Sequence, residues 1–130
     1  NNIGSGSKYL GAYIDEDGNW LDGKNNYEIV IPKEAPANQF WSITVYDNDT
    51  RCIIVNKQGK SDISSVREGV KVELDGSTKI YIGDKAPSGY ENNWIQSNPK
   101  KGFFAYLRLY GPLEAYYDKS WKMPDVKMLN

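Results

Sequence analysis

The chain has 130 residues, with 16 Lys or Arg and 17 Asp or Glu, so its formal net charge is −1. It contains no histidine and one cysteine, Cys52, which excludes a Ser-His-Asp triad, a His-containing metal centre and an internal disulfide built from this chain alone. The balanced charge argues against a nucleic-acid partner, and the longest apolar runs fall far short of the roughly 20 residues that span a bilayer. We therefore expect a single domain with no metal, no cofactor and no membrane insertion, and the sequence identifies no catalytic residue.

The first seven residues differ in composition from the rest of the chain. They read NNIGSGS, with neither an initiating Met nor the hydrophobic core of a signal peptide. We expect residues 1–7 to be a flexible linker remnant and residues 8–130 to form a single β-sandwich domain. This start favours a piece of a longer protein, and the alternative is a mature secreted chain whose signal peptide has been removed.

Short strands and tight turns, rather than helices, are predicted by the 13% aromatic content together with 12 Gly and 6 Pro. The first half of the chain has four such segments, which end at clusters of Asp, Asn, Gly or Pro. The first two are expected to pair as a long-looped hairpin. Cys52 lies in the apolar run of the fourth and is interpreted as a small buried residue. The four segments are residues 9–14, 27–31, 40–46 and 51–56.

The second half of the chain continues the same pattern. The dipeptide Asp75-Gly76 lies between alternating segments at 70–74 and 79–82, which predicts a hairpin. A long loop follows over residues 83–102, then a strand over 103–110. A short helical turn is expected near residues 113–117. The whole pattern predicts an all-β fold, a jelly-roll-like antiparallel β-sandwich with at most one short helical turn.

Two predicted strands, 40–46 and 103–110, each have one apolar face and one polar, aromatic face. If these strands pair, Arg108 lies between phenol rings and offers a planar fork to a carboxylate, sulfate or phosphate. The same rings suit a sugar, whose apolar face stacks on aromatic side chains. The alternative is structural: Arg108 pairs with an acid such as Asp47, and the tyrosines pack against a companion module. The side chains of this face are Tyr46, Tyr106, Arg108 and Tyr110.

A second set of candidate residues lies in the predicted loop, at Glu91, Asn93 and Trp94. A carboxyl group beside a Trp ring can have its pKa raised by loss of solvation, and a glycosidase uses such a group as general acid. The structural alternative is that Trp94 closes the end of the sandwich while Asn93 hydrogen-bonds the loop backbone.

A third set, Asp15, Asp17 and Asn19, resembles the start of a calcium-binding loop, in which every second residue supplies an oxygen. Trp20 and Asn26 stand where an EF-hand needs its Gly and its Glu. The pattern therefore favours a polar loop.

Five short blocks follow one another along the chain: FWSITVYD at 40–47, DGS at 75–77, NW at 93–94, LRLYGP at 107–112 and WKMP at 121–124. Together they resemble the domain of unknown function 1214 (DUF1214), over nearly the whole chain. In bacterial proteins that module typically follows another, the domain of unknown function 1254. The resemblance implies a jelly-roll-like β-sandwich in a bacterial protein with an N-terminal companion domain, and it implies no established reaction.

Two functions fit these residues. We prefer a non-catalytic β-sandwich module, the C-terminal part of a larger protein, which packs its aromatic face on a companion domain or on a second subunit of a homo-oligomer. The alternative is a module that binds or hydrolyses a carbohydrate or another small polar or anionic ligand. A concave Arg108 face favours the alternative, whereas a flat face favours packing. The polar strands favour a periplasmic or secreted setting. The candidate ligand-binding residues are Tyr46, Asp47, Glu91, Asn93, Trp94, Tyr106, Arg108 and Tyr110.

Overall fold

The computed structural model of the protein describes residues 6–113 and 121–130. Within these ranges it contains eight β-strands and one short 3-10 helix, Glu91–Asn93. The strands are β1 (Ser7–Ala12), β2 (Tyr27–Ile31), β3 (Ala37–Asp47), β4 (Asp62–Ser64), β5 (Thr78–Gly83), β6 (Trp94–Gln96), β7 (Phe103–Pro112) and β8 (Lys127–Met128).

The strands form two four-stranded sheets, in the orders β1-β7-β3-β4 and β6-β5-β2-β8. All pairs are antiparallel except β5 and β6, which run parallel. One hydrophobic core lies between the sheets and takes side chains from both. The predicted all-β sandwich is therefore confirmed. The fully buried core residues include Ile43, Val45, Leu109, Ile29, Ile31, Ile80 and Ile82.

The centre of the first sheet is the β3–β7 pair, in which Ile43 is opposite Leu107 and Trp41 is opposite Leu109. These side chains point into the core and are at most 7% exposed, and burying each contributes roughly 1.5–3 kcal/mol. Since successive strand residues point to opposite faces, the alternate side chains lie on the outer face. The predicted division of both strands into an apolar and a polar, aromatic face is confirmed.

The predicted hairpin between the first two segments is wrong. β1 pairs with β7, and β2 pairs with β5 and β8, so the two segments belong to different sheets. The connection crosses from one sheet to the other. Leu21, which is 1% exposed, anchors this crossing in the core.

The segment 51–56 does not form the predicted strand. Its contact with β3 is an isolated bridge between Tyr46 and Ile53, because Arg51 has a left-handed backbone (φ 63°) that breaks the extended run. Cys52 consequently lies on the surface. The interpretation of Cys52 as a buried residue is therefore wrong.

The segment 70–74 does not form a strand either, although the turn after it exists. The Gly76 amide donates to the Glu73 carbonyl (2.9 Å), and Gly76 has a φ of 90°, which suits glycine. The strand β5 already has β2 and β6 on its two sides, so no edge is free for 70–74. Val72 and Leu74 are accordingly exposed.

The predicted loop 83–102 contains β6, a three-residue strand whose central Ile95 is completely buried. The predicted helical turn falls mainly on residues 114–120, and most of the predicted linker falls on residues 1–5; both lie outside the described residues. Across the described part of the chain, no helix has the length and hydrophobicity needed to cross a membrane.

Candidate functional site

On the outer face of the first sheet, Tyr106 and Arg108 of β7 both have small neighbours on β3, Thr44 and Ser42. On the β1 side, Tyr106 is opposite Gly11, whereas Arg108 is opposite the ring of Tyr9. A Cβ atom at Gly11 would lie only 2.8 Å from the Tyr106 ring, so the ring occupies the space that a side chain at position 11 would fill.

These residues line an open cavity of about 820 Å³, within the usual range of ligand pockets. The wall is made of aromatic rings and two guanidinium groups. We call the residues that line it the aromatic–arginine cluster: Tyr9, Gly11, Tyr13, Tyr46, Arg51, Phe104, Tyr106 and Arg108.

Phe104 forms the floor of the cluster and is 4% exposed although it lies on the outer face of the sheet. Tyr46 stacks on it with ring centroids 5.2 Å apart, and Tyr13 with centroids 5.4 Å apart. The Tyr13 and Tyr106 hydroxyls are hydrogen-bonded to each other at 2.6 Å. This bond, together with burial, raises the pKa of Tyr13. The rings therefore support one another and present a preformed aromatic surface.

Arg108 is held over the aromatic rings rather than by an acid. Its guanidinium carbon lies 4.4 Å from the centroid of the Tyr9 ring, and its Nη1 donates a hydrogen bond to the Tyr110 hydroxyl (2.9 Å). That hydrogen bond raises the pKa of Arg108, with burial opposing it. Tyr110 in turn stacks on Phe40, with ring centroids 4.3 Å apart. The guanidinium is thus charged, oriented and accessible from the cavity.

The suggested pairing of Arg108 with Asp47 is wrong, because Asp47 is bound elsewhere. Its carboxylate lies 3.2 Å from the Lys101 ammonium and accepts the Asp49 amide at 2.8 Å. Burial alone would raise the pKa of Asp47, but these hydrogen bonds and the Lys101 charge outweigh it and lower the pKa. Within residues 6–113 and 121–130, neither Arg108 nor Arg51 takes part in a salt bridge.

The second predicted set lies in the 3-10 helix and at the start of β6, which belongs to the second sheet, and does not line the cluster cavity. Asn93 is completely buried and hydrogen-bonds the backbone of Lys71 and Lys79, as the structural alternative expects. Trp94 donates from its indole nitrogen to the Gly83 carbonyl (2.9 Å). Glu91 is exposed, so it lacks the burial that the general-acid interpretation requires.

The third predicted set forms a polar loop. The buried Asp15 accepts hydrogen bonds from the amides of Asp17 (2.9 Å) and Asn19 (3.1 Å) through Oδ1, as an Asx turn does. In the described ranges, no three or more His, Cys, Asp or Glu side chains are grouped so that they could hold a metal ion.

Of the candidate residues, the cavity brings together Tyr46, Tyr106 and Arg108, with Tyr110 bound behind Arg108. Asp47, Glu91, Asn93 and Trp94 do not line it. The sequence prediction missed five members of the cluster. Three of them, Tyr9, Gly11 and Tyr13, alternate along the first predicted segment, a signal that points to this cavity only once β1 is known to pair with β7. Phe104 lies on the predicted polar, aromatic face of its strand but was not chosen as a candidate, and Arg51 has no signal in its predicted strand.

The solved structures that are similar to this chain include proteins from Vibrio parahaemolyticus and Burkholderia cenocepacia. The VPA0106 protein from Vibrio parahaemolyticus is 25% identical with a TM-score of 0.81, over 95% of this chain and 31% of that chain. An uncharacterised protein from Burkholderia cenocepacia shares the fold at 14% identity, with a TM-score of 0.55 over 98% of this chain and 31% of that one. The chain thus spans about a third of the length of these proteins. No curated protein matches it significantly.

The comparison with family models agrees with the pattern of sequence blocks. The model of a protein family of unknown function, DUF1214, matches residues 6–114. This match covers most of the chain, including all the residues of the aromatic–arginine cluster. The chain therefore belongs to the DUF1214 family.

Proposed function

We propose that this chain is a non-catalytic ligand-binding module whose aromatic–arginine cluster binds a small ligand with a ring and an anionic group. One observation carries the proposal: two guanidinium groups and five aromatic rings surround one open cavity. Among the described residues that line the cavity, none is an Asp or Glu. The positive charge of the cavity is therefore left for a ligand to neutralise.

The chemistry of the wall matches both parts of such a ligand. Arg108 keeps its donors in a planar fork that suits a carboxylate, sulfate or phosphate. The rings of Tyr9, Tyr46 and Tyr106 offer faces on which a sugar or an aromatic ring stacks. Phenol hydroxyls along the same surface add hydrogen bonds. Since cavities lined by one sign of charge concentrate counter-ions, the cluster attracts anions before any close contact forms.

The same groups favour binding over catalysis. Acid–base catalysis near neutral pH needs a group that exchanges a proton there. The hydrogen bond with Tyr106 moves the pKa of Tyr13 further from neutrality, and the one to Tyr110 does the same for Arg108. These groups are suited to hold a ligand.

The test is a titration of the chain with glucuronate, benzoate and neutral glucose, followed by amide chemical shifts. We expect glucuronate and benzoate to shift residues of the cluster and glucose to have little effect. Arg108→Gln should weaken binding of the two anions about tenfold or more. Arg67→Gln is the matched control, since Arg67 is exposed and bonds the Asp62 carbonyl away from the cavity. An absence of shifts at the cluster, or equal loss in both variants, would contradict the proposal.

A second candidate function, packing on a companion domain or subunit, is favoured by a different surface. Beside the cluster lies an apolar groove of about 880 Å³, whose lining includes Ile14, Trp20 and Met123. Trp20 is 72% exposed and Ile14 48% exposed, and large exposed apolar side chains in one patch are typical of interaction surfaces. In the VPA0106 protein, most of the chain lies outside the similar region.

Hydrogen exchange on the VPA0106 protein tests this second candidate. We expect the segment that aligns with residues 13–21 to exchange slowly in the intact protein and fast when only the region similar to this chain is produced. Equal exchange in both would contradict the packing role.

We also propose a periplasmic or secreted setting, which the polar, Tyr- and Asn-rich composition supports.

A further inference from the structure

Arg51 has a backbone conformation that its side-chain type rarely adopts. Its φ is 63°, in the left-handed region where non-glycine residues other than Asn, Asp and His are uncommon. The turn holds it there, because the Arg51 amide donates to the Asp47 carbonyl at 2.8 Å. Strained residues of this kind persist where the surrounding structure fixes them, and they cluster at functional sites.

The left-handed backbone directs the Arg51 side chain to the cluster. Its guanidinium carbon lies 5.6 Å from the centroid of the Phe104 ring, and Arg51 lines the same cavity as Arg108. On β7, Phe104 and Arg108 lie four residues apart on the same face, which places their Cα atoms about 13 Å apart. The two guanidinium groups are therefore associated with opposite ends of the aromatic floor.

Between the two arginines, the floor is suited to a sugar. The Tyr106 ring lies 5.5 Å from Phe104 and 5.9 Å from Tyr9, centroid to centroid, so the aromatic surface is continuous. The hydroxyls of Tyr13 and Tyr106, bonded to each other at 2.6 Å, lie along this surface and offer hydrogen bonds to ligand hydroxyl groups. A ligand with one charge would leave one guanidinium without a partner.

From this geometry we infer that Arg51 is a second anion-binding residue and that the cavity binds a short acidic oligosaccharide. Such a ligand is elongated and carries an acidic group near each end, with sugar rings between. This inference rests on the proposed ligand-binding function and narrows its ligand class. It makes Arg51 a specificity-determining residue, because a ligand with one acidic group needs only one of the two arginines.

Calorimetric titration with three probes tests the inference: trigalacturonate, galacturonate and the neutral maltotriose. We expect trigalacturonate to bind about tenfold or more tightly than either of the others, and Arg51→Gln and Arg108→Gln each to remove about a tenfold factor of that affinity. Galacturonate binding should respond to only one of the two substitutions. Arg67→Gln serves as the control for loss of surface charge.

A second variant separates binding from folding. Arg51→Gly suits the left-handed backbone, so we expect a melting temperature equal to or above that of the wild type, together with the same loss of trigalacturonate affinity. If Arg51→Gln and Arg51→Gly leave trigalacturonate binding unchanged while Arg108→Gln weakens it, the inference is wrong and the proposed function stands. If none of the acidic probes, including glucuronate and benzoate, binds at the cluster, both are wrong.

Discussion

The replacement of Asn93 by Ala tests whether a single buried amide ties the outer segment 70–74 to the second sheet. Asn93 is completely buried. Its Nδ2 donates to the carbonyls of Lys71 and Lys79, both at 2.9 Å, and its Oδ1 accepts the Lys71 amide at 2.8 Å. Alanine removes all three hydrogen bonds and leaves three backbone groups without their partner.

The expected cost follows from where those groups lie. A buried polar group that loses its partner costs about 1–3 kcal/mol. Lys71 is exposed, so water can reach its amide and carbonyl, whereas the Lys79 carbonyl belongs to β5. We therefore expect Asn93→Ala to lower the free energy of unfolding by about 3 kcal/mol, a large part of the roughly 5–15 kcal/mol that stabilises a typical domain.

The assay is urea unfolding monitored by tryptophan fluorescence, with the cluster ligand titration run in parallel. Asn92→Ala is the control, because Asn92 is the exposed neighbour of Asn93 and should change stability by no more than about 0.5 kcal/mol. Ligand binding of folded Asn93→Ala should match the wild type. A stability change for Asn93→Ala as small as that of Asn92→Ala would refute the reasoning.

Three further predictions concern the first sheet. Gly11→Ala places a Cβ 2.8 Å from the rings of Tyr13 and Tyr106, so we expect a loss of about 1–3 kcal/mol and displaced Tyr13 and Tyr106 resonances; unchanged spectra would contradict this. Tyr106→Phe should lower the pKa of Tyr13, because the hydrogen bond with Tyr106 is the main cause of its rise; ultraviolet titration measures this pKa. The stability that the bond contributes is present below pH 10 and is lost as pH rises through the pKa of folded Tyr13. The pKa of Asp47 is lowered in the folded state, so its contribution is present above about pH 4 and lost as pH falls through the folded pKa. Asp47→Asn should lower the free energy of unfolding by about 0.2–1 kcal/mol at pH 7, the value of a partly exposed ion pair with Lys101, and should leave it unchanged in strong acid. A loss of stability that does not depend on pH would argue against a charge effect.

The strands that could be predicted from the sequence are those in which apolar and polar side chains alternate and the apolar ones are buried in the structure. In β7, Leu107 and Leu109 are buried while Tyr106 and Arg108 face outward, and this period of two is visible in the residues themselves. The segment 70–74 alternates as well, but a strand also needs a partner. Which strands lie next to β5 depends on contacts between residues far apart in sequence, and a local pattern does not contain that information.

The same limit applies to the site. Tyr46, Tyr106 and Arg108 were accessible to prediction because both strands that carry them show clear alternation. Tyr9 joins them only through the pairing of β1 with β7. Arg51 joins the cluster through its left-handed backbone conformation. Because arginine rarely adopts this conformation, residue propensities do not predict it.

The position of β7 in the first sheet also governs the order in which the protein can fold. β7 lies between β1 and β3, and its pairing joins Ser7 to Tyr110 across most of the chain. Until residues 103–112 have been synthesised, β1 has no partner strand. Pairing β1 with β7 closes a loop of most of the chain, which makes folding slow, on the order of milliseconds to seconds. Because Tyr106 and Arg108 lie on β7, the first sheet and the cavity of the aromatic–arginine cluster are completed in the same step, and a nascent chain lacks this cavity until β7 has been made.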